Sequence, residues 1–438
     1  MKMSKLNDLI KELCPDGVEY KALWEATIWD KKFTGVEKFK QPKVIKYHYL
    51  LGEEQKNLIK PYGKIKILTT YESNIYTAEE EVKDILSEGE IVYIPWGGNT
   101  LVQYYKGKFI TGDNRIATSN DTQKLSNKFL YYVLKNKIKE LSLLYRGSGI
   151  KHPEMSKVLE IKIPIPPLPV QEEIVRILDK FTELETELET ELETRKKQYE
   201  FYRNQLLSFD VPNKYLMNLI KEGYKEQVEK VRLGDVCEIT DGFPFDTADI
   251  KETGKYPIIK ITNIQNKNIV AEKSFCDNIP QKVKPKHKLN GGEILIAMSG
   301  ATCGKSGYNL LQNAIVNQRV AIVRNGPKIN NLFLKHLILN EKFYNYLQSK
   351  GTGTQKNISK TDIENYSFDL PPLEIQNRIV EVLDNFDKVC NDLEIGLPKE
   401  IELRKKQYEF YRNSLLNFSS QEDLTTHTHT HTHTHTHK

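Results

Sequence analysis

A loop rich in glycine, lysine and serine, SGATCGKSG at 299–307, has the residue types closest to phosphate chemistry. Backbone amides of such a loop and a nearby ammonium can cradle phosphate oxygens. A nucleotide-binding loop needs four residues between its glycines, whereas three separate Gly300 from Gly304. The spacing argues against nucleotide binding and leaves Ser299 and Lys305 as candidates for contact with the phosphate groups of a polyanion.

Two arginines, each preceded by an amide residue, occur in similar contexts: Asn114-Arg115 in GDNRIAT and Gln318-Arg319 in VNQRVAI. Arginine can bind O6 and N7 of guanine with two hydrogen bonds, and Asn or Gln can pair with N6 and N7 of adenine. The four residues are therefore candidates for base contacts. The alternative is that they cap or bridge strands inside a domain, and their matching positions suit such a scaffold role.

Two glycine-rich loops, YRGSGIKHP at 145–153 and SKGTGTQKN at 349–357, carry hydroxyls, amides and cations. Glycine lets the backbone approach a phosphate closely. The turns WGGNT (96–100) and DGFPF (241–245) are further candidates for groove loops, although such turns usually only close strands. The candidate DNA contacts in the two loops are Arg146, Ser148, Lys151, Lys350, Thr352, Gln355 and Lys356.

Residues for catalysis or metal binding do not cluster in the sequence. The five cysteines are far apart and form no CxxC pair, which argues against disulfides and zinc and fits a reducing cytoplasm. His48, His152, His287 and His336 form no spaced ligand set. Neither an Asn or Asp before Pro-Pro-Tyr/Phe nor a Gly-rich cofactor loop after a strand is present. We expect no metal, no cofactor and no catalytic residue.

An internal repeat indicates which elements must position these loops. The segment RKKQYEFYRN occurs at 195–204 and again at 404–413. We call these segments the two decapeptides. Upstream of them, IPPLPVQEEIVRILDKF (165–181) matches LPPLEIQNRIVEVLDNF (370–386). The order along the chain is therefore domain, helix, domain, helix.

Each repeated element predicts a long helix that follows a proline pair. Apolar residues recur at steps of 3 and 4 from Val170 and from Ile375, which is typical of a coiled-coil seam. The second copy, whose seam includes Val389 and Leu393, has one extra step of 4 and predicts a helix longer by one turn. Two such helices of one chain would bury their stripes against each other in antiparallel fashion, giving a pseudo-twofold repeat. Gly396 and Pro398 predict a break in the second helix.

The decapeptides should place their tyrosines in the seam and their cations on the surface. An exactly repeated surface suggests that each copy binds one of two identical partners. Recent duplication of the coding DNA would explain the identity equally well. The candidate partner-docking residues are Arg195, Lys196, Lys197, Arg203, Arg404, Lys405, Lys406 and Arg412.

Charge alternates along the 438 residues. Lys and Arg outnumber Asp and Glu by 27 to 21 in 1–165 and by 23 to 16 in 211–370, and are outnumbered 6 to 11 in 166–210. Basic globular segments suit a polyanion partner, although a lysine-rich proteome would give the same balance. Apolar runs fall short of the roughly 20 residues that span a bilayer, so a cytoplasmic protein is expected.

Two basic domains, each followed by a helix with the pattern PPL…Q…I…LD…RKKQYEFYR, resemble the specificity subunit of type I restriction-modification systems. The openings ELCPDGVEYKAL and VRLGDVCEITDGFPF are similar to the entry strands of that family's target recognition domains. The resemblance implies an α/β fold with mixed α+β recognition domains at 1–165 and 211–370. It also implies long spacer helices at 166–210 and 371–419, the second broken near 396–398.

The function that the resemblance implies is non-catalytic recognition of bipartite double-stranded DNA. Two methyltransferase subunits and ATP-dependent restriction subunits are the expected protein partners, docked on the helices. A coiled-coil scaffold without sequence-specific DNA binding is the alternative, and it leaves the two basic domains unexplained. No membrane is expected to be a partner.

Two low-complexity segments complete the sequence. TELETELETELET (182–194) repeats a four-residue unit within the first helix, so unit number is expected to set the spacing between the two domains; a solvated Glu-rich face is the alternative. The tail at 420–438, which ends in alternating His and Thr, is expected to be disordered. Its origin as an affinity tag or as a natural dinucleotide tract stays open.

Overall fold

The computed structural model describes residues 4–209, 227–265, 267–351 and 356–419. Thr352, Gln355, the segment 211–226 and the tail at 420–438 lie outside the described residues. The chain divides into two compact units, the first formed by residues up to Glu187 together with those from Ile401, and the second by Leu188–Glu400.

The first unit is built around a six-stranded mixed sheet. In spatial order its strands are Thr27–Trp29, Asn114–Ser119, Ser87–Pro95, Gln103–Thr111, Ile65–Leu68 and Tyr76–Thr77. Short pairs join Glu19–Ala22 to Lys162–Ile165 and Tyr145–Arg146 to His152–Pro153. The helices are Ser4–Leu13, Leu23–Ala26, Gly52–Leu58, Asn127–Asn136, Ile138–Ser142 and Met155–Val158. Val92 and Ile94 share a core with Phe129 and Leu130 of Asn127–Asn136, whereas Ile91 and Tyr93 pack in a second cluster with Phe109. The end of Ser87–Pro95 is therefore buried on both faces.

The second unit has a four-stranded antiparallel sheet in the order Cys237–Asp241, Val320–Asn325, Ile294–Ala297, Ser306–Tyr308. A three-stranded sheet joins Phe275–Cys276, Tyr256–Ile259 and Ile315–Val316, and two ribbons pair Ile264–Gln265 with Asn268–Ile269 and Glu229–Arg232 with Ser367–Leu370. The helices are Leu233–Val236, Asn331–Ile338, Glu341–Lys350 and Lys360–Glu364. Ile294 and Ile296 share a core with Phe333 and Leu337 of Asn331–Ile338.

Two arms continue from these domains. The first arm is one helix, Leu168–Leu206, of 39 residues. The second arm is two helices of 19 residues each, Leu373–Asn391 and Leu397–Leu415. Within the part of the chain that the structure describes, no helix is both long and apolar enough to cross a membrane.

The packing of the arms repeats from one unit to the other. In the first unit, the ring of Phe181 lies 5.2 Å from Tyr411 and 6.5 Å from Tyr408, and Glu185 pairs with Lys405 at 3.4 Å. In the second unit, Phe386 lies 5.3 Å from Tyr202 and 6.4 Å from Tyr199. Because Glu185 follows Phe181 while Lys405 precedes Tyr408, the paired helices run antiparallel. The predicted mixed fold with antiparallel long helices and an internal repeat is confirmed, and each decapeptide packs on the phenylalanine of the other copy.

The second arm is interrupted between Asn391 and Leu397, one turn earlier than the proline alone predicts. A side chain at Gly396 would lie 2.5 Å from the Lys388 carbonyl oxygen and 2.6 Å from that of Asp392, so glycine is required in the interruption between the two helices. The extra residues of the second copy fall in this interruption, and the prediction of a longer second helix is wrong. Val389 and Leu393, predicted for the seam, are 41 % and 74 % exposed, because the buried residue here is Cys390.

Candidate nucleic-acid interface

A buried glutamine joins each arm to its domain. Gln171 accepts a hydrogen bond from the Ser126 amide at 2.9 Å and donates to the carbonyls of Lys124 and Pro166, both at 2.6 Å. Ser126 is the N-cap of Asn127–Asn136, so the glutamine fixes the arm to the start of the helix that covers the sheet. This glutamine belongs to the repeated sequence pattern, but the pattern alone does not indicate its role.

The second unit repeats this arrangement with different neighbours. Gln376 accepts from the Asn330 amide at 2.7 Å and donates to the carbonyls of Lys328 at 3.1 Å and Pro371 at 2.7 Å. Both glutamine side chains are fully buried. We call Gln171 and Gln376 the two arm clamps. In each unit two of these hydrogen bonds hold the domain to its own arm, and the third, to Pro166 or Pro371, fixes the start of the arm.

Two loops of the first unit are tied together into one element. The Gly98 amide donates to the Lys151 carbonyl at 3.0 Å, the Tyr145 hydroxyl donates to the Pro95 carbonyl at 2.9 Å, and Nδ1 of His152 lies 2.7 Å from the Trp96 carbonyl. We call 96–100 together with 145–153 the first loop pair. Sequence reasoning treated these two segments as separate motifs.

The first loop pair presents the predicted phosphate-contacting residues to solvent. Arg146, Ser148 and Lys151 are all exposed. Gly147 has a φ of +138°, a conformation that favours glycine, and a side chain there would lie 2.6 Å from the Ile150 carbonyl oxygen. The loop therefore depends on glycine for its tight turn and carries its cations at the edge of that turn.

Asn114 and Arg115 are buried and are withdrawn from the candidate DNA contacts. The Asn114 amide donates to the Leu68 carbonyl at 3.2 Å, which is the strand-bridging role given above as the alternative. Arg115, only 3 % exposed, donates to the Asn114 carbonyl at 2.7 Å and to Asp113 at 3.2 Å. Neither side chain reaches the surface where a nucleic acid would lie.

Arg115 and Arg319 do not occupy equivalent positions. Arg115 lies within the strand Asn114–Ser119, opposite Ile94. When GEIVYIP (89–95) is aligned with GEILIAM (292–298), Ala297 matches Ile94, and Ala297 stands opposite Val320, the residue after Arg319. Gln318 and Arg319 lie in the turn before the strand that begins at Val320 and are exposed, so the sequence-based pairing of the two arginines is wrong.

The second unit contains an equivalent loop pair, which we define by its described residues as 298–306 together with 349–351 and 356–358. The Ile358 amide donates to the Met298 carbonyl at 2.8 Å, and the Gln348 side chain donates to the Cys303 carbonyl at 2.7 Å and accepts from the Lys356 ammonium at 2.8 Å. Ser299 and Asn357 form a β-bridge. The loops that were predicted to contact phosphate are thus joined in both units.

Several predicted contacts converge on the second loop pair. Lys350 and Lys356 are exposed, and Ser299 and Lys305 are half-buried. The Met298 amide donates to the Arg319 carbonyl at 2.9 Å, which places Gln318-Arg319 beside the pair. In the DGFPF turn, the Gly242 amide donates to the Val320 carbonyl at 3.1 Å and the Phe243 amide to the Val316 carbonyl at 2.7 Å, so this turn borders the turn that carries Gln318-Arg319.

The decapeptides expose matching surfaces. Arg195, Lys196 and Lys197 are exposed in the first copy, as are Arg404, Lys405 and Lys406 in the second. Phe201 and Phe410 occupy the same position of the repeat and are 48 % and 68 % exposed. Tyr199 and Tyr408 are buried, as predicted for the seam. Each copy therefore offers three cations and an aromatic ring on one helix.

The last arginine of each decapeptide is an internal brace rather than a docking residue. Arg203 is 1 % exposed, lies over the Tyr199 ring at 5.2 Å and pairs with Glu200. Arg412 is half-buried, lies over the Tyr408 ring at 5.4 Å and donates to Asn136 at 3.2 Å. The contacts of Arg203 lie within its own decapeptide, and Arg412 also binds Asn136 of the first unit, so neither arginine is carried into the docking surface proposed below.

Comparison with known families identifies the class of protein that this arrangement defines. The family described as "Type I restriction modification DNA specificity domain" matches residues 35–195 and 225–403. Each match covers one domain and reaches into the arm that follows it. The chain belongs to this family, and the resemblance inferred from the repeat is confirmed.

Individual relatives agree with that assignment. A Haemophilus influenzae protein named as a type I restriction enzyme specificity subunit is 32 % identical over 358 residues, covering 78 % of this chain and 86 % of its own. The EcoR124I/EcoR124II specificity subunit of Escherichia coli is 31 % identical over 71 % of this chain and 76 % of its own. The crystal structure of a type I S subunit from M. genitalium has the same fold, with a TM-score of 0.57, 16 % identity, and coverage of 91 % of this chain and 96 % of its own.

Proposed function

We propose that this specificity subunit is a non-catalytic reader of bipartite double-stranded DNA. Each half of the site would be contacted by one loop pair, within recognition domains at 1–165 and 211–370. The arms, at 166–210 and 371–419, would hold the two readers apart and dock two methyltransferase subunits, which restriction subunits would join. The observation that carries the proposal is the recurrence, in both units, of a cation-bearing loop pair mounted on buried strands.

The loop pairs have the properties that DNA contact requires. Lysine, arginine, hydroxyl and backbone amide groups supply most contacts to phosphate, while base edges are read by a few side chains that the scaffold orients. The first pair offers Arg146, Ser148 and Lys151, and the second offers Lys305 and Lys356 beside Arg319. Loops held on rigid strands are the usual place for such contacts.

Docking of two identical partners is supported by the repeated decapeptide surface. Arginine and aromatic residues are enriched in protein interfaces, and both copies expose an Arg-Lys-Lys run and a phenylalanine. Two equal surfaces on one chain suit two copies of the same subunit. Six of the eight docking residues predicted from sequence remain on this surface.

The experiment that tests the function is to co-express the chain with its methyltransferase subunit and map modified adenines by single-molecule sequencing. A split motif with a fixed gap, lost when this chain is omitted, is the expected result. Native mass spectrometry of the same complex should give two methyltransferase copies per chain. Methylation that is unchanged without the chain would favour the scaffold alternative and would sink the proposal.

A further inference from the structure

A buried arginine connects the core of the first unit to its loop pair. The Asp30 carboxylate, fully buried, accepts hydrogen bonds from the Tyr49 hydroxyl at 2.5 Å and from the Ile116 amide at 2.9 Å. Arg115 lies 3.9 Å from the same carboxylate. Burial raises the pKa of the Asp30 carboxyl, and the hydrogen bonds from Tyr49 and Ile116 oppose that rise.

The other face of this arginine meets the loop pair. The centre of the Arg115 guanidinium lies 4.0 Å from the centroid of the Trp96 ring, and that ring lies 5.1 Å from the ring of His152. A side chain at Gly97 would come within 2.9 Å of Ile150 and 3.0 Å of His152, so the two loops are in close contact beside Trp96. One continuous chain of contacts thus runs from the buried Asp30 through Arg115 and Trp96 to the segment 145–153.

We propose that Arg115 is a positioning residue that fixes the first loop pair in its DNA-reading conformation and so determines the specificity of one half-site. This inference rests on the proposed function, because it takes the loop pair as the reader. Arg115 itself touches no base, being buried. It acts through Trp96, which sets the path of 96–100 and, through His152 and Lys151, the path of 145–153.

The chemistry of the contact explains why arginine is used. A planar guanidinium can stack on an indole while its edge donates to several oxygens, which an ammonium cannot do. Nε of Arg115 is buried without a hydrogen-bond partner among the described residues, which costs stability. An apolar side chain would avoid that cost but would remove both the cation beside the buried Asp30 carboxylate and the stack on Trp96, so arginine serves both contacts.

The effect should be confined to one half of the recognised site. In the second unit, Val320 stands at the strand position that matches Arg115. There, Gln348 and Lys356 tie the loops together from the helix side instead. A change at Arg115 should therefore leave the second loop pair intact.

The test combines a spectroscopic signal from Trp96 with the methylation motif. The chain has three tryptophans, so 5-fluorotryptophan labelling of the full chain gives three fluorine resonances, and Trp96→Phe identifies that of residue 96. Arg115→Lys is expected to shift this resonance and to speed amide exchange in 145–153. In the assembled complex it should reduce discrimination at one half-site about tenfold and leave the other half unchanged.

Matched variants keep the test decisive. Arg319→Lys, which alters an exposed arginine of the second unit, should leave the Trp96 resonance unchanged. Trp96→Leu removes a half-buried ring. This variant should show the same faster exchange in 145–153 and the same reduced discrimination at one half-site, even if Arg115→Lys folds poorly. Trp96→Phe should retain part of the discrimination.

Three results would overturn the inference. An unmoved Trp96 resonance in Arg115→Lys would show that the stack does not hold the ring. Unchanged discrimination at both half-sites, in a complex that does recognise a split motif, would show that the position does not set specificity. Absence of any split motif with the wild-type chain would remove the specificity role together with the proposed function, while the resonance and exchange data would still report separately on the loop pair.

Discussion

The two units hold their arms in the same way and build their loop pairs in different ways. Each arm clamp makes the same three hydrogen bonds, and each decapeptide places two tyrosines on the phenylalanine of the other copy. The loop pairs share a location but not their ties, which run through Trp96 and His152 in one unit and through Gln348 and Lys356 in the other. The arms, with their clamps and their packing of tyrosine on phenylalanine, are thus the same in both units; we call them the frame. The loop pairs mounted on this frame differ.

A second contrast lies beside the decapeptides. The Tyr199 hydroxyl lies 3.2 Å from Nδ1 of His336, whose Nε2 lies 2.8 Å from Asp384. In the first unit, Tyr132 stands where His336 stands in the second, and its hydroxyl donates to Asp179, the counterpart of Asp384. The frame therefore tolerates a change of hydrogen-bonding group at this junction while its aromatic packing is kept.

The largest expected effect concerns the difference between the two arms. The first arm is continuous through 182–194, and removal of Thr182–Glu185 should shorten it by about 6 Å, nearly two base pairs of DNA. Four residues are close to one helical turn, so the apolar face is nearly kept. Methylation mapping should show the same half-sites with a shorter gap. An unchanged gap would support the alternative that the repeat is only a solvated helix face.

The next effect compares the two aromatic junctions. Phe181 is 7 % exposed, whereas Phe386 is half-buried. Phe181→Ala should lower the free energy of unfolding by about 3 kcal/mol, and Phe386→Ala by less, because more of the first ring is removed from water. Denaturation followed by amide exchange in each unit measures both. The exposed Phe410 supplies a control, since Phe410→Ala should change stability by no more than about 0.5 kcal/mol.

A smaller and symmetric effect is expected at the arm clamps. Gln171→Ala and Gln376→Ala each leave buried amide and carbonyl groups unpaired and should cost about 2 kcal/mol in their own unit. Gln198→Ala and Gln407→Ala, on the half-buried face of the decapeptides, serve as matched controls with little expected change. If one clamp variant were silent while the other unfolded its unit, the two frames would not be equivalent.

The smallest effect tests the junction that differs. The hydrogen bond from His336 holds the pKa of the Asp384 carboxyl below its usual range, despite partial burial. The stabilisation that the ionised Asp384 provides is therefore fully present above the pKa of the unfolded chain, near 4, and is lost as the pH falls through the lower pKa of the folded protein. Asp384→Asn should cost about 1 kcal/mol at pH 7, with the difference from wild type shrinking under acid conditions.

Acid denaturation curves of the two proteins provide the measurement. The exposed Asp8 offers a control, because Asp8→Asn should leave the curve unchanged. A difference between wild type and Asp384→Asn that persists undiminished in acid would contradict the role given to the ionised carboxylate.

The frame was predictable from sequence because it repeats. Identical decapeptides, matching proline pairs and steps of 3 and 4 predict two long helices, and the tyrosines lie in the seam as expected. The interruption was only partly predictable, since Gly396 indicates a break but not that Cys390 replaces Val389 and Leu393 as the buried residue. The extra length of the second copy therefore adds no helical turn.

The candidate site was less predictable because contacts between distant segments decide it. Arg115 and Arg319 look equivalent in sequence, yet Arg115 is buried within a strand whereas Arg319 is exposed in the turn before one. The partners of Arg115, among them Asp30 and Trp96, come from elements far apart in the chain, and no local pattern indicates them. The loops were found individually by their glycines and cations, whereas their association in pairs depends on tertiary hydrogen bonds.

The most direct test of a constant frame with two independent readers is to alter each loop pair separately and sequence the methylated sites. Arg146→Ala with Lys151→Ala should weaken or relax one half of the split motif, and Lys305→Ala with Lys356→Ala the other half, with the gap unchanged in both. If both double variants degraded the same half, or neither altered the motif, the loop pairs would not be the readers.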